Sequence, residues 1–131
     1  MTTTVKDMLA TANAAVPRIS GAEAQALAGQ PNVVLLDIRD GSEVAASGKA
    51  KGALHVSRGL LEFRADPETP YHDPDFRKDR PVIVYCASGG RSALAGRVLQ
   101  EMGYEQVFNL GPFKSWAEAG GEVESPMDRG M

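Results

Sequence analysis

The chain has 131 residues, enough for a real hydrophobic core, and its single cysteine has no partner for an internal disulfide. Its formal net charge of -3 argues against a nucleic-acid-binding domain, which carries an excess of basic residues on one face. No apolar run approaches the roughly 20 residues that cross a bilayer, and the amino terminus, interrupted by Asp7, lacks the pattern of a signal peptide, so we expect no membrane segment and no leader.

The first third of the chain alternates between helical and strand-like patterns. Apolar residues at helical spacing predict a short helix over 5–15. Ser20 and Glu23 form a capping-box pattern, which predicts a second helix through about Ala28. Residues 33–36 are an unbroken apolar run, and such a run is typical of a strand that is buried on both faces.

The middle of the chain carries weaker patterns and one long polar stretch. We predict a short helix over 42–46, a brief strand over 54–56 and a helical turn over 59–63. Residues 66–80 contain three prolines and predict a single surface loop, and a loop of that length in a small domain is often functional. The aromatic residues that this loop can use for packing are Tyr71 and Phe76.

The last third repeats the alternation more strongly. Residues 81–85 predict a second buried strand, 86–90 a loop of small residues, and 91–102 the clearest helix of the chain. A third strand over 107–110 and a short helix over 113–119 follow. Strands that alternate with helices in this way are typical of an α/β domain with a mainly parallel central sheet. In such sheets the chemistry collects beyond the carboxyl ends of the strands.

The candidate nucleophile is Cys86, which stands between a buried strand and the start of a helix. Free backbone N–H groups at a helix start bind anions and favour a thiolate over a thiol. Gly89 and Gly90 let the loop curl so that its amides point inward, and Arg91 adds a permanent positive charge. Together these features suit a small anionic sulfur donor. The alternative is that Cys86 is only a small buried hydrophobic residue, the commonest fate of a free cysteine.

These residues resemble the single-domain rhodanese-like sulfurtransferases. The resemblance extends from about residue 19 to residue 121, and the cysteine loop is its most specific part. The segments that carry it are 33–39, Glu43, 52–53, 86–92, 109–111 and Trp116. We therefore expect one domain over 1–131, with a core over about 19–121 and a helical extension over 1–17. The family's fold implies a mainly parallel sheet with helices on both faces.

The resemblance also implies roles for the residues of the loop. Cys86 is expected to carry the transferred sulfur as a persulfide, assisted by the charge of Arg91. The backbone amides that cradle this sulfur belong to Ala87, Ser88, Gly89, Gly90 and Arg91. Arg58 is expected to bind the anionic donor. The implied activity is transfer of sulfane sulfur from thiosulfate or a persulfide to a thiol or cyanide, without a metal or organic cofactor.

The expected partners are a small sulfur donor and acceptor, or a protein of a sulfur relay, in a reducing cytoplasm where a lone thiol persists. One alternative is a sulfur-carrier or binding module that does not turn over. Another is a cysteine-dependent phosphatase, whose loop places five residues between cysteine and arginine. Here four residues separate Cys86 from Arg91, and no carboxylate is identifiable as the general acid that a phosphatase needs.

Overall fold

The computed structural model describes residues 2–125, which contain six α-helices, one short 3₁₀ helix (Arg58–Leu60) and six strands. The helices are α1 (Val5–Ala15), α2 (Gly21–Ala28), α3 (Gly41–Ser47), α4 (Leu61–Ala65), α5 (Gly90–Glu101) and α6 (Phe113–Glu118). The strands are β1 (Val34–Asp37), β2 (Lys49–Ala50), β3 (Leu54–His55), β4 (Val82–Cys86), β5 (Val107–Pro112) and β6 (Val123–Glu124). Within this range no helix is both long and apolar enough to cross a membrane.

The central element is a four-stranded parallel sheet in the order β3-β1-β4-β5. The register places Asp37 beside Tyr85, and Cys86 beside Pro112. The carboxyl ends of β1, β4 and β5 therefore lie at the same edge of the sheet, and Cys86 is the last residue of β4. The predicted α/β class and mainly parallel sheet are confirmed.

Alternate residues of the buried strands face two separate hydrophobic layers. On β4, Val84 and Cys86 belong to the layer that α4 and α5 complete, whereas Ile83 and Tyr85 belong to the layer that α2 and α6 complete. Helices thus cover both faces of the sheet. The strand has to be apolar on both sides, and this is why its sequence is an unbroken run rather than an alternating one.

A two-stranded antiparallel ribbon of β2 and β6 lies outside the central sheet, and the sequence does not predict it. Each of these strands has only two residues, which is too short for a periodic pattern to be visible. Lys49 and Glu124 are partners in this ribbon, and their side chains also form an ion pair. The ribbon fastens the segment after α6 to the middle of the chain.

Residues 66–80 contain no helix or strand, as the sequence predicts, yet they are anchored to the core. Phe76 is 1% exposed and packs edge-on against Tyr104, with ring centroids 6.0 Å apart. Tyr71 remains 63% exposed and meets Phe63 in a second edge-on contact. One buried aromatic side chain therefore holds the loop, while the other stays at the surface.

A buried ion pair fixes the chain as it leaves β1. Arg39 donates to both carboxylate oxygens of Asp37, and the hydroxyl group of Tyr85 donates to the same carboxylate at 2.7 Å. The guanidinium of Arg39 also donates to the Gly48 carbonyl oxygen and lies 4.3 Å from the ring centroid of Phe113. Because Arg39 precedes α3 and Gly48 follows it, these contacts connect the two ends of the helix and place it beside the carboxyl edge of the sheet.

Candidate active site

The sulfur of Cys86 lies at the amino terminus of α5, enclosed by hydrogen-bond donors. Cys86 is fully buried. Its Sγ accepts the backbone N–H of Gly89 at 3.0 Å and that of Ser92 at 3.4 Å. The hydroxyl oxygen of Ser92 lies 3.4 Å from the same sulfur. The predicted meeting of thiol, curled loop and helix start is what the structure shows.

The curl of the loop depends on Gly89. Its φ is +103°, a conformation that side chains with a Cβ rarely adopt. A Cβ at this position would also lie 3.4 Å from the Cα of Gly111 on β5. Ala87 and Ser88, by contrast, are exposed. The loop is therefore closed against the sheet on one side and open to solvent on the other.

Opposing effects set the acidity of the thiol. Burial by itself raises the pKa of Cys86, because it disfavours the charged form. Hydrogen bonds from the Ser92 hydroxyl group, and from the backbone amides of Ser92, Gly89 and Ser88, lower it. The hydrogen bonds prevail, and the pKa of Cys86 lies below its ordinary value. The site therefore favours a buried thiolate.

Arg91 is at the start of α5, and its guanidinium group is bound to Glu43 of α3. The two N–H groups donate to the two carboxylate oxygens at 2.7 and 2.9 Å. Glu43 is the main cause of the raised pKa of Arg91, and the charge of Cys86 contributes as well. The hydrogen bonds of Arg91 therefore hold its guanidinium group on α3, in an ion pair with Glu43. Glu43 belongs to the sequence resemblance, but its partner was not predicted.

The Glu43–Arg91 pair predicts an acid-dependent loss of stability. Hydrogen bonding to Arg91 is the main reason that the pKa of Glu43 falls from 4.5 to about 2. A carboxyl group with a lowered pKa stabilises the fold fully above its unfolded pKa, and this contribution is lost as the pH falls through the folded pKa. We expect the urea midpoint of the protein to exceed that of Glu43→Gln near neutral pH. The difference should shrink between about pH 4.5 and pH 2. A difference that is constant over this range would contradict the assignment.

Other sequence candidates lie in contacts of their own. The guanidinium group of Arg58 donates to Glu62 at 2.9 Å and lines an open groove between α1 and α5. The side chain of Arg58 thus pairs with Glu62 beside this groove. The expected role of Arg58 in binding the sulfur donor stays a prediction. The two histidines of the chain, His55 and His72, each contact a backbone carbonyl oxygen through a ring nitrogen. Among residues 2–125, no three His, Cys, Asp or Glu side chains are grouped to hold a metal ion.

Two further buried polar residues, Ser92 and Asn109, complete the site. Ser92 is completely buried, and its hydroxyl group lies 2.7 Å from the Oδ1 of Asn109, which is 1% exposed. Asn109 is on β5, beside the cradle. A polar residue inside the apolar run 107–110 is the sequence signal that marks it, because a buried amide needs partners.

Comparison with known proteins agrees with this geometry. The family model of the rhodanese-like domain matches residues 20–119. A sulfurtransferase of Allochromatium vinosum is 38% identical over 103 residues, which cover 78% of this chain and 88% of that protein. The thiosulfate sulfurtransferase GlpE of Tolumonas auensis is 35% identical over 100 residues, covering 76% of this chain and 86% of that protein.

A solved structure extends the comparison to nearly the whole chain. A protein of unknown function from Rhodopseudomonas palustris CGA009, described as a possible tyrosine phosphatase, is 42% identical. It superposes with a TM-score of 0.87 over 95% of this chain and 96% of that one. The family match covers most of the described residues, including the whole cysteine loop. The chain therefore belongs to the rhodanese-like domain family, together with single-domain sulfurtransferases such as GlpE.

Proposed function

We propose that this protein moves sulfane sulfur from thiosulfate or a persulfide donor to a thiol or cyanide, through a persulfide on Cys86. The observation that carries the proposal is the environment of Sγ at the start of α5: two backbone N–H groups donate to it, and the Ser92 hydroxyl oxygen, which accepts from the thiol, lies 3.4 Å away. Donors in this position stabilise a negative sulfur without having to reorganise. The sulfurtransferases among its relatives support the same reaction class.

In the first half of the reaction, the Cys86 thiolate attacks the outer sulfur of thiosulfate. A new S–S bond forms, and the electron pair of the old S–S bond leaves with sulfite. With a persulfide donor, the same pair leaves on a thiolate. The product is a Cys86 persulfide, whose outer sulfur carries the negative charge. The loop amides and the charge of Arg91 stabilise it.

In the second half, a thiolate or cyanide attacks the outer sulfur of the persulfide. The electron pair of the S–S bond then returns to Sγ, and the donors that stabilised the thiolate before attack now stabilise it as a leaving group. This is covalent catalysis by double displacement. Each step uses only side chains and amides of this chain, so the scheme requires no metal or organic cofactor. We place it in a reducing compartment such as the cytoplasm, where a thiol stays free.

A sulfur carrier that passes its sulfur to a partner protein is the second form of this proposal. In both forms Cys86 takes up sulfur from the donor. The two forms differ in how the sulfur leaves Cys86. Steady turnover with thiosulfate and cyanide supports the enzyme. Stoichiometric loading that persists when cyanide or a small thiol is added supports the carrier. A chain that neither loads nor turns over contradicts both.

We predict little phosphatase activity, although a similar protein is described as a possible tyrosine phosphatase. The loop has four residues between Cys86 and Arg91, which leaves less room than the five-residue loop of phosphatases. Glu43, the carboxyl group bound to Arg91, has its pKa held at about 2, so at neutral pH it has no proton to donate to a leaving oxygen. Hydrolysis of an aryl phosphate should be far slower than sulfur transfer. Hydrolysis that depends on Cys86 and matches the rate of sulfur transfer would contradict this choice.

A further inference from the structure

We propose that Asn109 is a positioning residue that competes with the Cys86 sulfur for the single hydroxyl hydrogen of Ser92. We rest this inference on the proposed function, in which the sulfur alternates between neutral and anionic states. The Oγ of Ser92 lies 2.7 Å from the Oδ1 of Asn109, 3.1 Å from the carbonyl oxygen of Gly89 and 3.4 Å from the sulfur. A hydroxyl group has one hydrogen, so it serves only one of these acceptors at a time.

The orientation of the Asn109 amide is fixed by its neighbours. The backbone N–H of Gly111, which can only donate, lies 2.8 Å from Oδ1. The oxygen of the amide therefore faces Gly111 and Ser92, and its NH₂ group faces the Gly89 carbonyl oxygen at 3.5 Å. When the Ser92 hydroxyl turns away, Oδ1 keeps the hydrogen bond from Gly111. Releasing the hydroxyl thus leaves no unsatisfied oxygen behind.

The partner of the hydroxyl hydrogen follows the charge of the sulfur. In the thiol form, the S–H group donates to Ser92 Oγ, and the hydroxyl donates to Asn109. In the thiolate form, the hydroxyl turns and donates to Sγ. When Sγ becomes the inner sulfur of a persulfide, it is neutral again and the hydroxyl returns to Asn109. Cys86, Ser92 and Asn109 are all buried, so bulk water does not compete for these hydrogen bonds.

This competition prevents the thiolate from being stabilised too strongly. The nucleophilicity of a thiolate falls as the pKa of its thiol falls. A hydroxyl group committed permanently to the sulfur would lower that pKa further and weaken the attack on the donor. Asn109 offers the hydroxyl a partner at 2.7 Å, against 3.4 Å for the sulfur, so the sulfur gains only the difference between the two hydrogen bonds.

The charged groups around the cradle stay constant when Asn109 is replaced. They are Arg91 on α5, Glu43 and its neighbour Asp40 at α3, Asp37 and Arg39 at the end of β1, the pair of Arg58 with Glu62 at α4, and Arg18, which is bridged to Asn109 and donates to the Leu110 carbonyl oxygen. The hydroxyl group of Tyr85 belongs to the opposite face of the sheet, where it is bonded to Asp37. Asn109 itself is neutral. A change in the titration of Cys86 in an Asn109 variant therefore reports on the hydroxyl.

The test is the rate of Cys86 alkylation by iodoacetamide as a function of pH, which reads the thiol without any sulfur donor. Asn109→Leu removes the nearer competing acceptor and leaves the Gly89 carbonyl oxygen at 3.1 Å, so the apparent pKa of Cys86 should fall by roughly a few tenths of a pH unit. Ser92→Ala removes the donor and should raise the pKa. In the double variant the effect of leucine should vanish, because Asn109 acts through Ser92. Asn13→Leu, at an exposed position on α1, is the matched control and should change nothing.

An unchanged or raised pKa in Asn109→Leu, or an equal fall in the Ser92→Ala background, overturns the proposal. If the leucine variant does not fold, Asn109→Ala decides, since alanine removes the same acceptor without adding a charge. The pKa of Cys86 should then fall as well, and an unchanged or raised pKa overturns the proposal. Sulfur loading of the unsubstituted protein is measured separately. If the unsubstituted protein does not load sulfur, the proposed function is rejected. The alkylation result then still decides whether Asn109 competes with the sulfur for the Ser92 hydrogen.

Discussion

Replacing Cys86 by serine is expected to reduce sulfur transfer to the uncatalysed background. Cys86 is the only thiol of the chain, so no second residue can take over as the sulfur carrier. A serine hydroxyl group at this position can accept the same amide hydrogen bonds, but it is a far weaker nucleophile because it stays protonated. The change from sulfur to oxygen is small, so the fold should persist. The measurement is the rate of sulfur transfer from thiosulfate to cyanide.

Cys86→Ala is the matched variant, since it removes the nucleophile without adding a new polar group. Circular dichroism and thermal unfolding should show that both variants keep the parent fold. Equal loss of activity in the two variants is expected if the thiolate does the chemistry. A folded serine variant that still moves sulfur at an appreciable fraction of the parent rate would disprove the mechanism.

Replacing Arg91 by alanine is expected to slow sulfur transfer by about a hundredfold or more, the typical loss when one group that stabilises a developing anion is removed. The structure adds a second cause. Without Arg91, the Glu43 carboxylate loses its bidentate partner and remains as an unpaired negative charge near the thiolate. Like charges disfavour each other, so the pKa of Cys86 should rise as well. Rates measured across a pH range separate this effect from the loss of anion stabilisation.

Three further variants separate the charge of Arg91 from its hydrogen bonds with Glu43 and from nonspecific loss of an arginine. Arg91→Lys should restore only part of the rate, because lysine keeps the charge but cannot form the bidentate pair with Glu43. Adding Glu43→Gln to Arg91→Ala should recover part of the loss, since it removes the stranded carboxylate. Arg97→Ala, which removes the same residue type from the same helix, should leave the rate near normal. A near-normal rate for Arg91→Ala would assign Arg91 a purely structural role.

The sequence predicts the position of the nucleophile because local patterns determine it. An apolar run, a cysteine, paired glycines and a helix follow one another, and a strand followed by a helix in a parallel sheet puts the connecting loop at the carboxyl edge. The sequence predicts that Gly89 and Gly90 let the loop curl, and in the structure Gly89 adopts the positive φ that makes this curl. These features involve neighbours in the chain, so no tertiary contact has to be known.

The partners of the site residues are harder to predict because they depend on tertiary contacts. Arg91 is 48 residues from Glu43, and Ser92 is 17 residues from Asn109. The sequence predicts Arg91 as a permanent positive charge that suits an anionic donor, and it does not predict that the hydrogen bonds of Arg91 are with Glu43. No spacing rule connects residues so far apart on different elements. The ribbon of β2 and β6 was missed for a second reason, because its strands are too short to show a pattern.

The most direct test of the central claim is the intact mass of the protein after incubation with thiosulfate or with a persulfide donor, followed by desalting. We predict the addition of one sulfur atom to the parent protein and none to Cys86→Ser, and loss of the added sulfur when cyanide or a thiol is supplied. A parent protein that no donor loads, or a Cys86→Ser variant that gains the same mass, would contradict the proposal that Cys86 carries sulfur.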